Sequence, residues 1–189
     1  MPYDQKDNIN EISDEILKRV VRIKEPVHMP GFTAHVAVFA DSYFSELYAR
    51  YKSGKDRLDP VFAVLLEEKI KQAGLTFDAI VPIPIHAREK RERTFDTVHE
   101  LALRLSERTG VPVVEALKKT RLVPLQRGLT HAERKINLVG AFQKVMDIEG
   151  RVLILDDYVT TGSTFLETGR FFKDPIYLAL ATTHHPKFP

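Results

Sequence analysis

The sequence predicts an α/β protein with a mainly parallel central sheet. Three observations carry that expectation. Short aliphatic runs, "HVAVFA" (35–40), "DAIVPIPI" (78–85), "RVLILDD" (151–157) and "IYLALATT" (176–183), read as buried strands. Segments of helical period separate them. The chain has 189 residues, 43% apolar and 29% charged, which suits one domain with a sizeable core.

Taken in order, Ile9, Ile12, Ile16 and Val20 fall at helical spacing over 9–21, with Asn8 as cap, and "EPVHMPGF" (25–32) breaks that helix. After the first strand, "SYFSELYARYKSG" predicts a helix ending at Gly54. Asp59-Pro60 opens another, closed by Gly74. Prolines stop the strand over 78–85, and a helix over 95–108 turns Val98, Leu101, Ala102 and Leu105 inward. "VPVVEAL" (111–117) is a strand candidate, whereas 118–136 is charge-rich and has no period, as in a functional loop. "GAFQKV" (140–145) suits a hairpin arm, and a short helix is expected from Ser163 to about Phe172. Residues 1–40 are read as an N-terminal helical segment and 41–189 as the core.

Composition narrows the function. Net charge is only +2, so no global field favours nucleic acid or an anionic membrane. The absence of cysteine excludes disulfides and thiolate metal sites. The N-terminus "MPYDQKDNINEISDE" lacks a secretory apolar stretch and no run is long enough to span a bilayer, so a cytoplasmic protein is expected.

The chemistry concentrates in "VLILDDYVTTGST", Val152 to Thr164. In parallel sheets ligands sit at the carboxyl ends of strands, where Asp156 and Asp157 fall. Adjacent strand residues point to opposite faces, so both acids can meet one ligand only where the strand is turning. An isolated Asp-Asp pair is more simply a capped turn, but Thr160, Thr161, Gly162, Ser163 and Thr164 follow it and lead into a helix. Helix-start amides and several hydroxyls around one glycine suit an anion. A phosphate beside two carboxylates suggests a sugar phosphate, with the acids accepting from vicinal hydroxyls. A P-loop would need lysine after its last glycine, and an aspartyl-phosphate pattern would need an acid where Tyr158 stands. A receiver-type acidic pair would stand near the start of its fold, not near the end.

This stretch resembles the thirteen-residue phosphoribosyl-pyrophosphate (PRPP) motif of type I phosphoribosyltransferases. With "VPIPIHAREKRERTF", "LVPLQRGLTHAERKINLVGAF" and "SYFSELYARYKSG", the order of segments is similar to that of ComF-like proteins, the competence-associated phosphoribosyltransferase-like family, over roughly residues 40–183. The chain departs from it in having no cysteine for a zinc ribbon, and in reading Arg93-Thr94-Phe95-Asp96-Thr97 where the family has Arg-Gly-Phe-Asn-Gln.

The resemblance implies a type I phosphoribosyltransferase fold with a hood and a flexible loop. Asp156 and Asp157 would hold the ribose hydroxyls and Thr160–Thr164 the 5′-phosphate. Ile85, His86, Ala87 and Arg88 would meet the pyrophosphate, with Lys90, Arg91 and Arg93 nearby. Thr120–Asn137 would be the loop that closes over substrate, and Arg121 and Arg134 on it would act on the departing diphosphate beside Gln126 and Asn137. Mg²⁺ would arrive with PRPP, without a dedicated protein cage. His184-His185 makes a poor metal site. The expected activity is transfer of phosphoribosyl to a nitrogen nucleophile with release of pyrophosphate. The alternative is a non-catalytic PRPP- or nucleotide-binding accessory of DNA uptake. Candidate partners are PRPP and an acceptor, a second copy of the chain, and a competence-machinery protein. A membrane and direct nucleic-acid binding are not expected.

Overall fold

A computed structural model describes residues 13–87, 95–122 and 138–183. Strands β3 (Phe32–Phe39), β4 (Ala79–Pro82), β7 (Val152–Val159) and β8 (Ile176–Thr182) run parallel in the order β3-β8-β7-β4. The outer edge of β3 is paired antiparallel by β1 (Val21–Arg22) at one end and by β2 (Val27–Met29) at the other, which completes a six-stranded sheet. Residues 32–39 are therefore part of the central sheet, and position 40 lies just past the end of β3. A second, two-stranded sheet pairs β5 (Leu117–Lys119) with β6 (Phe142–Lys144).

The helices form where the sequence supplies both period and stops. Helix α1 covers 13–19; residues 9–12 of the expected helix lie outside the described residues. Helix α2 (Ser42–Lys52) starts at Asp41, whose side chain accepts from the Phe44 amide. Helix α3 (Asp59–Ala73) has proline in its first turn and ends at Gly74, φ +61°, a left-handed conformation suited to glycine. Helix α4 (Thr97–Thr109) is capped by Asp96, which accepts from the His99 amide. Helix α5 (Ser163–Gly169) stops three residues before the expected Phe172.

Each face of the sheet buries its own cluster. One joins Leu153, Leu155, Leu178 and Leu180 to Phe44, Tyr51, Phe62, Leu66, Leu101 and Leu105 of α2, α3 and α4. The other joins Val36, Val81, Ile154 and Ala179 to Leu117, Phe142 and Phe165. At about 25 cal/mol per Å² of apolar surface removed from water, these clusters supply the main drive for folding.

Several expected elements differ. The strand expected over 111–117 keeps one parallel bridge, Val113 to Ile80: Pro112 contributes only its carbonyl, to Ile80 N at 2.9 Å, Ala116 N turns back to Val114 O at 2.9 Å, and Leu117 opens β5. Lys118 and Lys119, read as loop, instead belong to β5. The strand β7 also continues to Val159, beyond the expected end at Asp157. Among the described residues, no helix is long and apolar enough to cross a membrane.

Candidate active site

The carboxyl ends of β4 and β7 lie side by side. Beyond the last paired residues, Pro82 and Leu155, Ile83 N still donates to Leu155 O at 2.9 Å. That bond sets the start of the segment leading to Ile85, His86 and Ala87 against the acidic pair. Ile85 and His86 are half-buried and Ala87 is exposed; Arg88, with Lys90, Arg91 and Arg93, lies outside the described residues.

Along β7 four fully buried aliphatics give way to the half-buried Asp156, Asp157 and Tyr158. The two-residue alternation lapses at the acids. Leu153 and Leu155 share one cluster and Val152 and Ile154 the other, yet Tyr158 packs with the former and Val159 with the latter. The Asp157 amide turns to the preceding side chain and donates to Asp156 Oδ1 at 2.9 Å. Both carboxyls thus reach one region although β7 runs on.

The two acids differ in their surroundings. Oδ2 of Asp157 accepts from Tyr48 Oη at 2.5 Å and from Thr97 Oγ1 at 2.8 Å. Burial, and after it the charge of Asp157, push the Asp156 carboxyl well above the usual carboxylate range; Lys52 opposes this weakly. A carboxyl so placed binds a proton readily and gains from a ligand that brings hydroxyl donors or cations.

The turn after β7 is shaped by packing. Gly162 has φ +72°, and a Cβ there would run into the Phe32 ring, so glycine is required on both counts. Thr161 Oγ1 and Ser163 Oγ lie 3.0 Å apart, Ser163 is buried, and Thr160 is exposed. Thr164 is half-buried and its carbonyl accepts from Thr168 Oγ1 at 2.8 Å. Thr160 to Thr164 therefore form one compact turn directly after the acids.

The β5–β6 hairpin carries the two ends of the expected flexible loop. Thr120 N donates to Ala141 O at 2.9 Å, and Arg121 Nη2 donates to Val139 O at 3.2 Å. The Gly140 amide donates to the buried Glu167 carboxylate of α5 at 2.8 Å, which ties the returning arm to the helix after the turn. The rest of that loop, with Gln126, Arg134 and Asn137, lies outside the described residues, as does His184-His185.

Sequence reasoning missed Tyr48 and Thr97, which stand 109 and 60 residues before Asp157. Tyr48 reads as an ordinary inward residue of α2. Thr97 falls in the 93–97 stretch that departs from the family signature, and the structure gives that stretch work to do. Phe95 packs edge-on against Tyr51, Asp96 caps α4, and Thr97 bonds Asp157.

These features define a mixed α/β protein with a mostly parallel sheet whose carboxyl edge carries an acidic pair followed by a glycine turn. No family model matches the chain. Its sequence is similar to competence protein F of Haemophilus influenzae, 28% identical over 126 residues, 61% of this chain and 55% of that protein. It is similar too to the DNA utilization protein YhgH of Escherichia coli K12, 37% identical over 92 residues, 48% of this chain and 40% of that protein. The chain spans about half the length of the curated relatives it matches. These relatives support the ComF-like resemblance drawn from the motifs. Solved structures of loosely similar shape include the glutamine PRPP amidotransferase from B. subtilis, at 18% identity over 67% of this chain and 26% of that one, TM-score 0.40. Orotate phosphoribosyltransferase of Mycobacterium tuberculosis matches at 11% identity over 91% and 94%, TM-score 0.38.

Proposed function

We propose that the chain binds PRPP and transfers its phosphoribosyl group to a nitrogen nucleophile. The observation that carries this reading is the convergence of Asp156 and Asp157 at the end of β7 with the Gly162 turn that follows them. The acids would accept from the ribose hydroxyls. The Thr160–Thr164 turn would hold the 5′-phosphate, and Ile85–Arg88 would meet the diphosphate. In the reaction the bond from ribose C1 to the diphosphate oxygen breaks, a C1–N bond forms, and the nucleophile's proton leaves to water or base. Arg121 and Arg134, on the loop spanning 120–137, would stabilise the diphosphate as it departs and keep water from the sugar cation.

Mg²⁺ bound with PRPP would neutralise the diphosphate. The residues present fit a metal that brings its own ligands. Asp157 has one oxygen already engaged, and diphosphate and water would fill most of the coordination sphere.

Titration calorimetry of the full chain with PRPP, with and without Mg²⁺, tests the reading. Micromolar, Mg²⁺-dependent binding is expected, followed by pyrophosphate release when nitrogen bases are supplied. Absence of binding by folded protein overturns it.

A second reading has a specific observation behind it, the names of the sequence relatives, a competence protein and DNA utilization proteins. On that reading the chain serves DNA uptake as a PRPP- or nucleotide-binding accessory without transfer. Binding of PRPP with no turnover against any nitrogen acceptor would favour it. Direct contact with DNA would instead show as affinity falling steeply with salt.

A further inference from the structure

The two acids of the site are held by different means, and the difference fixes how each can use a ligand. A carboxylate oxygen has two lone-pair positions. On Asp157 Oδ2 both are taken, by Tyr48 Oη at 2.5 Å and Thr97 Oγ1 at 2.8 Å. A hydrogen bond also links the Asp157 carboxyl to that of Asp156.

Both donors are themselves held by packing. The Tyr48 ring stacks on Phe44 at 6.3 Å, meets the Tyr158 ring at 5.6 Å and lies under the Lys52 ammonium at 5.6 Å. Thr97 is 1% exposed, and its carbonyl accepts from the buried Tyr51 hydroxyl at 3.1 Å. Helix α2 thus grips the first residue of α4 through Tyr51, and α2 and α4 together grip the end of β7 through Asp157. Donors fixed in this way hold a carboxylate in one rotamer before any ligand arrives, which is how a binding group is kept within a few tenths of an ångström of its working position.

We propose that Tyr48 and Thr97 are positioning residues that occupy Oδ2 of Asp157 and hold its carboxylate in the one rotamer with which it takes one sugar hydroxyl. The proposal rests on the PRPP reading. Its consequence is a division of labour. Asp157 cannot chelate a metal or span two hydroxyls, so it accepts from one and Asp156 from the other. A fixed acceptor rejects a sugar lacking its hydroxyl more strongly than a carboxylate free to rotate, because it cannot turn to another partner. The clamp therefore sets discrimination between ribose and deoxyribose phosphates.

The test uses the full chain, wild type and the variants Tyr48→Phe, Thr97→Val, the double variant, and Thr97→Ser. Each is titrated with PRPP and Mg²⁺, with ribose 5-phosphate and its 2-deoxy and 3-deoxy counterparts, and with inorganic phosphate. Thermal melts accompany each titration to establish folding. Tyr48→Phe and Thr97→Val are each expected to lose about tenfold in affinity for PRPP and ribose 5-phosphate, as for a bond to a charged group. They should also lose part of the discrimination against at least one deoxy sugar, leave inorganic phosphate unchanged, and Thr97→Ser should restore wild-type behaviour. If the double variant binds all ligands as wild type does, or loses the phosphate ion in proportion to the sugars, the positioning role is overturned while the PRPP reading stands. If wild type itself binds neither PRPP nor ribose 5-phosphate, the PRPP reading fails and the clamp falls with it.

Discussion

Two aspartates of this chain, one buried and one half-buried, stand at helix or strand ends, and their surroundings have opposite character. Asp59, at the start of α3, is 1% exposed and meets Arg57 Nε and Arg104 Nε, each at 2.9 Å. Burial alone would raise its carboxyl, but the hydrogen bonds from Arg57 and then Arg104 outweigh it and hold the group below the usual range. Asp156, half-buried at the end of β7, is pushed up, first by burial and then by the charge of Asp157, and no arginine among the described residues offsets them. Burial alone therefore does not fix the direction in which an acid is shifted. Among the described residues, what separates them is the pair of arginine bonds that Asp59 has and Asp156 lacks.

The largest effect that would break this comparison is on binding. Asp156→Asn should weaken PRPP by about a hundredfold, since a charged acceptor of a ligand hydroxyl is lost. It should also raise the melting temperature at neutral pH, because the amide ends the cost of ionising a buried carboxyl beside another. Calorimetric titration and a thermal melt of the same sample check both. A variant that binds as wild type does, or melts lower, would show that Asp156 is a structural acid like Asp59.

Next in size is the turn beside the acids. Gly162→Ala meets both a left-handed φ of +72° and the Phe32 ring, and should cost about 2–4 kcal/mol of stability by chemical denaturation. The strand-end site would then depend on close backbone packing, where the Asp59 site depends on charge. Asp59→Asn should cost less, about 1–2 kcal/mol, because Arg57 and Arg104 are 57% and 39% exposed and regain water once released. It should leave PRPP binding unchanged. A cost near that of Gly162→Ala would mean that the arginines cannot relax and that the α3–α4 contact is stiffer than their exposure implies.

The sequence made much of this legible where local rules govern. The aliphatic run before Asp156, the Asp59-Pro60 start and Gly74 stop of α3, and the inward stripe of α4 are fixed by period and capping, and they fall where expected. Strands β1 and β2 were not legible. At two and three residues they carry no period, and they exist because the free edge of β3 recruits them. The strand over 111–117 misled because its β-branched residues obscured the missing amide of Pro112. In the site, the motif revealed the acids and the glycine turn, since these are contiguous. The clamp on Asp157 was hidden. Tyr48 and Thr97 reach it from two other helices, and a tyrosine on an inward helix face has no pattern that tells a core residue from a hydrogen-bond donor.

The smallest effect is the most direct reading of the comparison, because the two acids tilt stability in opposite directions with pH. Asp59 has a folded pKa below its unfolded value near 4, so its contribution is present above about pH 4 and is lost as pH falls through the folded value. Asp156 has a folded pKa above its unfolded value, so the native state holds the proton longer. Its share of stability is full below about pH 4 and is lost as pH rises toward the raised value. Melting temperatures across pH 3 to 8 should therefore rise less on the acid side in Asp59→Asn than in wild type, and decline less between mildly acid and neutral pH in Asp156→Asn. On the proposed function, addition of PRPP and Mg²⁺ should reduce the decline in wild type, because the ligand would compensate the Asp156 carboxylate, and should have no such effect in Asp156→Asn. If both variants shift the profile in the same direction, the cation accounting that distinguishes the two acids is wrong.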